Sequence, residues 1–235
     1  LNKKVLTFIK QKYDYKNKNL SLFKDFIIEA HNNNFHVFSY NTSEYIKDMG
    51  TTKRLNLVEV DIKNNIVKNN SYRNVQKALF VDRDNTLIKC EKKEYITSQD
   101  QIYLYENRIS KIAEIASSYN LVILVTNQPQ IAMGKVSYQE VININTKLIL
   151  SCQKRGLNIA CVYICPHHNH SGFLNEDKSL KTFCFCRKPM PGLFLEASIH
   201  RNISLNESLL IGDSWRDEES SKKLNMNFKY VQYLK

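Results

Sequence analysis

The stretch "ALFVDRDNTL", residues 78–87, ends a short apolar run on two aspartates one residue apart, with a threonine two positions further on. Residues two apart at an extended strand end project to the same side, so Asp82 and Asp84 can face one cavity. Two bare carboxylates there repel unless a cation or a shared proton separates them. The pair therefore reads as a metal ligand plus a nucleophile, or, taken singly, as an acidic turn capping a strand. Other strand ends supply complementary groups. "LVTNQ" ends on Thr126, Asn127 and Gln128, whose hydroxyl and amides suit phosphoryl oxygens, and "CRKP" carries the fixed charges of Arg187 and Lys188. "IGDSWRD" contributes Asp213 and, four residues later, Asp217. Asp217 also reads as an acid favoured at a helix N-terminus.

A second constellation is "CPHHNHSGFLNEDKSLKTFCFCRKP", with C-x-H, a gap of 16 residues and C-x-C. Cys165, His167, Cys184 and Cys186 make a four-ligand set that Zn²⁺ accepts tetrahedrally, with His168 and His170 as substitutes for His167. Four protein ligands leave no open position, so the expected zinc is structural and pins the loop that carries Arg187 and Lys188. Cys90, Cys152 and Cys161 are isolated and read as small core or surface residues.

The elements that must position these groups follow from rhythm. Apolar runs at 78–82, 121–126, 159–165, 208–213 and 228–234 alternate with helical patterns at 107–119, 137–156, 191–202 and 215–225. Asn107 is the expected cap of the first helix. Ser137 and Glu140 have capping-box spacing, Gly156 ends that helix, and Pro191 opens the next. Near-continuous apolar strands alternating with helices predict an α/β fold, a three-layer Rossmann-like sandwich with a mostly parallel sheet. Ligands in such sheets bind beyond the carboxyl ends of the strands, which puts Asp82, Asp84, Thr126 and Asp213 along one edge. Upstream, 21–33 reads as a helix capped by Ser21, 35–40 as a strand and 51–62 as a helix. The asparagine-rich stretch 63–74 reads as a linker. Two domains are expected, a small α/β appendage at 1–70 and a main domain at 71–235.

Two acids, a hydroxyl, a lysine and another acid, in that order and each at a strand end or adjoining loop, resemble the haloacid-dehalogenase superfamily over about 78–230. The resemblance implies a phosphatase working through an aspartyl-phosphate. Asp82 is then the nucleophile, Asp84 the acid and base, and Thr126 and Lys188 the holders of the transferring oxygens. Mg²⁺ would sit between Asp82, the Asp84 backbone carbonyl and Asp213, with Asp217 behind them. The zinc loop narrows the resemblance to the D-glycero-D-manno-heptose 1,7-bisphosphate phosphatases and their relatives, the histidinol-phosphate phosphatases, which share C-P-H…C-x-C-R-K-P. A small phosphorylated sugar is the implied substrate, and histidinol phosphate the alternative. Asn85 stands where that group has glycine, Pro129 and Gln130 replace Ser-Gly, and Ser214 replaces a lysine. "VFSYNTSEYIKDMGTTKRLNLVE" resembles the closing segment of a sugar-phosphate nucleotidyltransferase, whose D-x-G-T motif supplies a metal-binding aspartate, here Asp48. That implies a covalent fusion to an upstream nucleotidyltransferase domain, in keeping with a chain of 235 residues that begins at Leu1.

A net charge of +11, from 34 basic and 23 acidic residues, raises nucleic acid as a partner. The lysines are scattered rather than gathered in a stripe with aromatics, so no nucleic-acid partner is expected, and nucleic-acid ends rank below sugar phosphates. No apolar run approaches the roughly 20 residues of a membrane span, so no membrane partner is expected and a cytoplasmic location is the default. A catalytically silent binding or scaffold domain is the alternative of another class, opposed by the full set of Asp82, Asp84, Thr126, Lys188 and Asp213.

Overall fold

The computed structural model describes residues 26–37, 44–63, 66–69, 73–90, 94–169 and 172–234, with Lys4, Thr7, Ser21 and Ser71 besides. Two units divide the chain, Leu1–Asn41 and Thr42–Lys235. In the first, a short helix α1 spans Ile28–Asn32 and buries Ala30. Residues 22–25 of the expected 21–33 helix and 38–40 of the expected strand lie outside the described residues, and 35–37 form no strand.

The second unit opens with α2, Thr52–Lys63, and α3, Ile66–Asn69, so part of the expected linker is helical. Five strands then build one sheet: β1 Ala78–Val81, β2 Leu121–Asn127, β3 Ile159–Cys165, β4 Leu209–Gly212 and β5 Asn227–Tyr230. Their order is β3-β2-β1-β4-β5, and every pairing is parallel. Four helices alternate with them: α4 Glu106–Ala116, α5 Tyr138–Gln153, α6 Gly192–Arg201 and α7 Trp215–Lys223.

Alternation within the three central strands, β2, β1 and β4, shows why they read as continuously apolar. Leu79, Val81, Val122, Leu124, Leu209 and Ile211 pack on one face with Ile109 and Ile112 of α4 and Ile144 and Leu148 of α5. Ala78, Phe80, Ile123, Val125 and Leu210 pack on the other with Leu193, Phe194 and Ala197 of α6. Phe80 and Phe194 meet edge to face, ring centroids 5.2 Å apart. A parallel sheet whose strands are covered on both faces has no polar side to alternate with. β1 is central: the chain runs from it through β2 to β3 on one side, then crosses from β3 to β4 on its other side, which makes the carboxyl ends of β1 and β4 the topological switch point.

Element ends differ in places from the sequence expectation. α4 begins at Glu106 rather than after an Asn107 cap: Tyr105 N donates to Leu87 O at 2.9 Å, which fixes the entry, and Glu106 puts its carboxylate in the first turn, where the helix dipole favours it. Ser137 does cap α5, its Oγ accepting from the Glu140 amide at 3.0 Å, but the Glu140 carboxylate turns instead to Asn143. β5 stops at Tyr230 and passes into a tight turn over Val231–Tyr233. Among the described residues no helix is long and apolar enough to cross a membrane.

Candidate active site

The backbone after β1 makes a tight turn that presents both aspartates. Asp82 N donates to Ile211 O of β4 at 2.9 Å, tying the strand end into the sheet. Asn85 adopts φ 57, a left-handed conformation asparagine tolerates where most side chains are strained, and its amide closes onto Ile88 O at 2.7 Å. Asn85 therefore fills the role of a turn glycine.

Asp82 is 7% exposed. Its Oδ1 accepts from Lys188 Nζ at 2.5 Å and its Oδ2 from Thr86 Oγ1 at 3.3 Å. Lys188 spends its remaining donors on Asp217 Oδ1 at 2.6 Å and the β2 carbonyl of Val125 at 3.1 Å. Residues 106 and 29 positions away from Lys188 in sequence are thus held by one buried ammonium. The Lys188 backbone is fixed by Asn127, whose Oδ1 accepts from Lys188 N at 3.0 Å and whose Nδ2 donates to Lys188 O at 3.1 Å. Asn127 thereby positions the lysine, with both ends of its amide engaged.

Asp213 and Asp217 come from the end of β4 and the first turn of α7. Side-chain oxygens of Asp82, Asp213 and Asp217 lie within 4.8 Å of one another. Asp217 is fully buried, with Oδ2 accepting from Ser214 Oγ at 2.6 Å. Gly212 makes room for it: a Cβ there would meet Asp217 Cγ at 2.5 Å. Asp84 faces another way. Arg83, wholly buried, donates from Nε to Asp84 Oδ1 at 3.0 Å and from NH2 to Oδ2 at 3.1 Å, and its NH1 reaches Asn145 of α5. Gln128 adds a bond to Asp84 Oδ2 at 2.9 Å and one to Thr126 Oγ1 at 2.7 Å. Gln128 and Thr126 are both buried, so they form a polar network behind the acids.

The electrostatics are those of a site short of positive charge. Burial, then Asp217 and Asp84, push Asp82 up to about 7 although Lys188 pulls it down. Burial and Asp217 likewise raise Asp213. Lys188 moves up, because its two carboxylate partners outweigh the cost of burying its charge, and it stays protonated. Four acids, Asp82, Asp84, Asp213 and Asp217, face two cations, Arg83 and Lys188, a difference of two negative charges that one divalent cation would offset. Hard carboxylate oxygens at this spacing fit Mg²⁺, whose ligands sit about 2.1 Å from the ion.

The thiol and imidazole cluster assembles as the spacing predicts. Cys165 ends β3, and its Sγ lies 3.6 Å from Cys184 Sγ and 3.2 Å from Cys186 Sγ. His167 Nδ1 is 3.7 Å from Cys165 Sγ and 3.2 Å from Cys186 Sγ. Tetrahedral Zn–S bonds of 2.3 Å put sulfurs about 3.8 Å apart, so the set fits zinc after a small expansion. The hydrogen bond shared with Cys165 is the main cause holding Cys186 down to about 5, within the range where a metal takes it as thiolate. His168 instead packs edge to face on Phe173, and His170 lies outside the described residues. Arg187, next to Cys186, donates to His167 O at 3.1 Å.

Asp82 and Asp213 thus meet as read from the sequence, with Asp217 joining their cluster instead of standing behind it; Asp84 lies outside that cluster, held by Arg83 and Gln128, and Asn127 and Gln128 bond to protein groups. Sequence reasoning missed Arg83, Gln130 and Asn145. Arg83, set between two acids, was the visible signal for the first. Gln130, whose Nε2 reaches Gln128 Oε1, carries no such mark.

Residues 77–231 match the family described as polynucleotide kinase 3 phosphatase. The D-glycero-beta-D-manno-heptose-1,7-bisphosphate 7-phosphatase of Pasteurella multocida is 33% identical over 149 residues, covering 63% of this chain and 77% of that protein. The Yersinia pestis protein of the same name is 30% identical over 157 residues, covering 66% and 79%. Among solved structures, a HAD-like phosphatase from Mesorhizobium loti is similar with a TM-score of 0.58 and 26% identity, covering 65% of this chain and 70% of that one. A D,D-heptose 1,7-bisphosphate phosphatase from B. bronchiseptica, solved with magnesium and phosphate, shares the fold at a TM-score of 0.55 and 23% identity, covering 65% and 78%.

Proposed function

Because the chain belongs to the polynucleotide kinase 3 phosphatase family, within the HAD-like phosphatases, we propose that it removes the 7-phosphate of D-glycero-D-manno-heptose 1,7-bisphosphate. The observation that carries this reading is the meeting of Asp82 and Asp217 at the Lys188 ammonium, at the carboxyl end of the central strand. The relatives' names supply the sugar.

In the proposed reaction Asp82 attacks phosphorus in line with the leaving sugar oxygen, and an Asp–O–P bond forms as the sugar O–P bond breaks. Asp84, its carboxylate 27% exposed, takes a proton from solvent on entering the cycle and gives it to that oxygen. It then takes a proton from the water that cleaves the aspartyl-phosphate, which returns Asp82 and releases inorganic phosphate. Lys188 neutralises charge on the transferring oxygens. Thr126 is aligned to hold one of those oxygens, with Gln128 fixing its hydroxyl. Mg²⁺ would be held by Asp82, Asp213 and the Asp84 backbone carbonyl, and would supply charge neutralisation where nucleophile and substrate are both anionic. Asp217, against Lys188 and Ser214, orients the ammonium. Zn²⁺ on Cys165, His167, Cys184 and Cys186 would be structural, and Arg187, which donates to His167 O, would bind substrate from that loop.

Other parts of the reading extend beyond the phosphatase unit. The division at 1–70 and 71–235, the fusion to a nucleotidyltransferase and the cytoplasmic location rest on sequence. Asp48 in the D-x-G-T motif accepts from the Gly50 amide at 2.9 Å and pairs with Arg54, which holds it in a local turn. Phosphate release from heptose 1,7-bisphosphate, compared with histidinol phosphate, tests the function. A higher kcat/KM on histidinol phosphate would reassign the substrate, and turnover surviving Asp82→Asn would remove the mechanism.

A further inference from the structure

A cavity of about 480 Å³ shares Lys188 with the carboxylate site but has walls of different chemistry. Arg187, Lys188, Trp215, Arg216, Phe183 and His168 are among the residues lining it, and no aspartate or glutamate is, among the described residues. Trp215 is the only tryptophan of the chain, it opens α7 two residues after Asp213, and it is 58% exposed. The Arg216 guanidinium lies 5.1 Å from the centroid of the Trp215 ring. Among the described residues its side chain makes no ion pair or hydrogen bond. A large aromatic face left to water, beside an arginine with no counter-ion, is the arrangement of a ligand site. An indole packs well against the carbons of a sugar, and a guanidinium takes phosphate through paired N–H donors. A second cavity, about 720 Å³ around Asn85, Tyr95 and Tyr103, has one cation and one acid in its wall, Lys89 and Glu94, and so no excess of positive charge for an anion.

Resting on the sugar-bisphosphate reading above, we propose that Trp215 and Arg216, with Arg187, form the subsite for the retained phosphate of the substrate. Trp215 packs the carbons between the two phosphates, and the two arginines take the phosphate that stays. Lys188, between the subsite and Asp82, faces the phosphate that leaves. The subsite selects a bisphosphate over a monophosphate of the same sugar and acts on binding, so its loss raises KM more than it lowers kcat.

The sole tryptophan makes the test direct. Asp82→Asn protein, which cannot be phosphorylated, is titrated with heptose 1,7-bisphosphate, heptose 7-phosphate and inorganic phosphate while tryptophan emission is followed. Bisphosphate is expected to change the emission at lower concentration than the other two. Arg216→Ala should cut the preference for bisphosphate over monophosphate by about 10- to 100-fold, in binding and in kcat/KM of the otherwise unaltered enzyme, with Arg216→Lys recovering part of it. A preference unchanged within about threefold, or emission indifferent to bisphosphate, overturns the subsite. Emission that responds more strongly to a 3′-phosphorylated oligonucleotide also overturns it, in favour of strand binding. Failure of the underlying reading shows separately, as unaltered enzyme that releases no phosphate from the bisphosphate.

Discussion

Replacing Lys188 by methionine keeps the length of the side chain and deletes the one cation that touches two buried carboxylates. Lys188 is 4% exposed and donates at 2.5 Å to Asp82, 2.6 Å to Asp217 and 3.1 Å to the Val125 carbonyl. Removing one member of a buried pair leaves the other charge uncompensated, at a cost of about 3–5 kcal/mol. The local balance falls from two negative charges to three, so a divalent ion should recover part of that loss. In urea, with a slope of about 2.5 kcal/mol/M for a domain this size, the midpoint of the chelator-treated variant should drop by about 1–2 M. Millimolar Mg²⁺ should restore part of the midpoint and none of the turnover, since deletion of one such electrostatic contact costs about 10²–10³ in kcat. The two measurements separate scaffold from chemistry. A variant as stable as the unaltered protein in chelator, or one retaining turnover within tenfold, would refute the claim that this ammonium both neutralises the pocket and serves the reaction.

Gly212→Ala places a methyl 2.5 Å from Asp217 Cγ, so the carboxylate must swing away; kcat should fall at least tenfold, with about 1–3 kcal/mol of stability lost to overpacking on thermal melting. With Asp82 raised from 3.8 to about 7, the metal-free fold holds a proton that the unfolded chain releases between those values, so stability is greatest at the acid end of that window and declines as pH rises through it. Mg²⁺ must displace that proton, so calorimetry should find Mg²⁺ affinity weakening as pH falls below about 7. Reduced protein should carry about one zinc per chain, and Cys184→Ser should lose it and open the 168–183 stretch to protease while the sheet stays protected by hydrogen exchange.

The centre of the sheet was legible because its strands are buried on both faces, which leaves continuous apolar runs such as Leu121–Val125 that no helix face imitates at that length. The acids were legible because they follow those runs directly. The roles of amides were not. Asn127 and Gln128 have the chemistry to bind phosphate, yet one clasps the Lys188 backbone and the other bridges Thr126 to Asp84, choices set by partners about 40 to 60 residues away. The tyrosine before α4 and the turn after β5 likewise depend on tertiary packing, which composition does not encode.

The reactive ammonium belongs to no strand or helix. It hangs on a short span gripped at one end by the cysteines and at the other by the amide of Asn127, and the 16 residues between His167 and Cys184 lie outside that grip. The stretch has an anchor of its own, Asp177 N donating to Ala132 O at 2.9 Å, so changes at its exposed positions leave the nitrogen that matters in place. Descendants of this scaffold could therefore change what they recognise by rewriting a tether, while the apparatus that breaks the ester bond stays as it is.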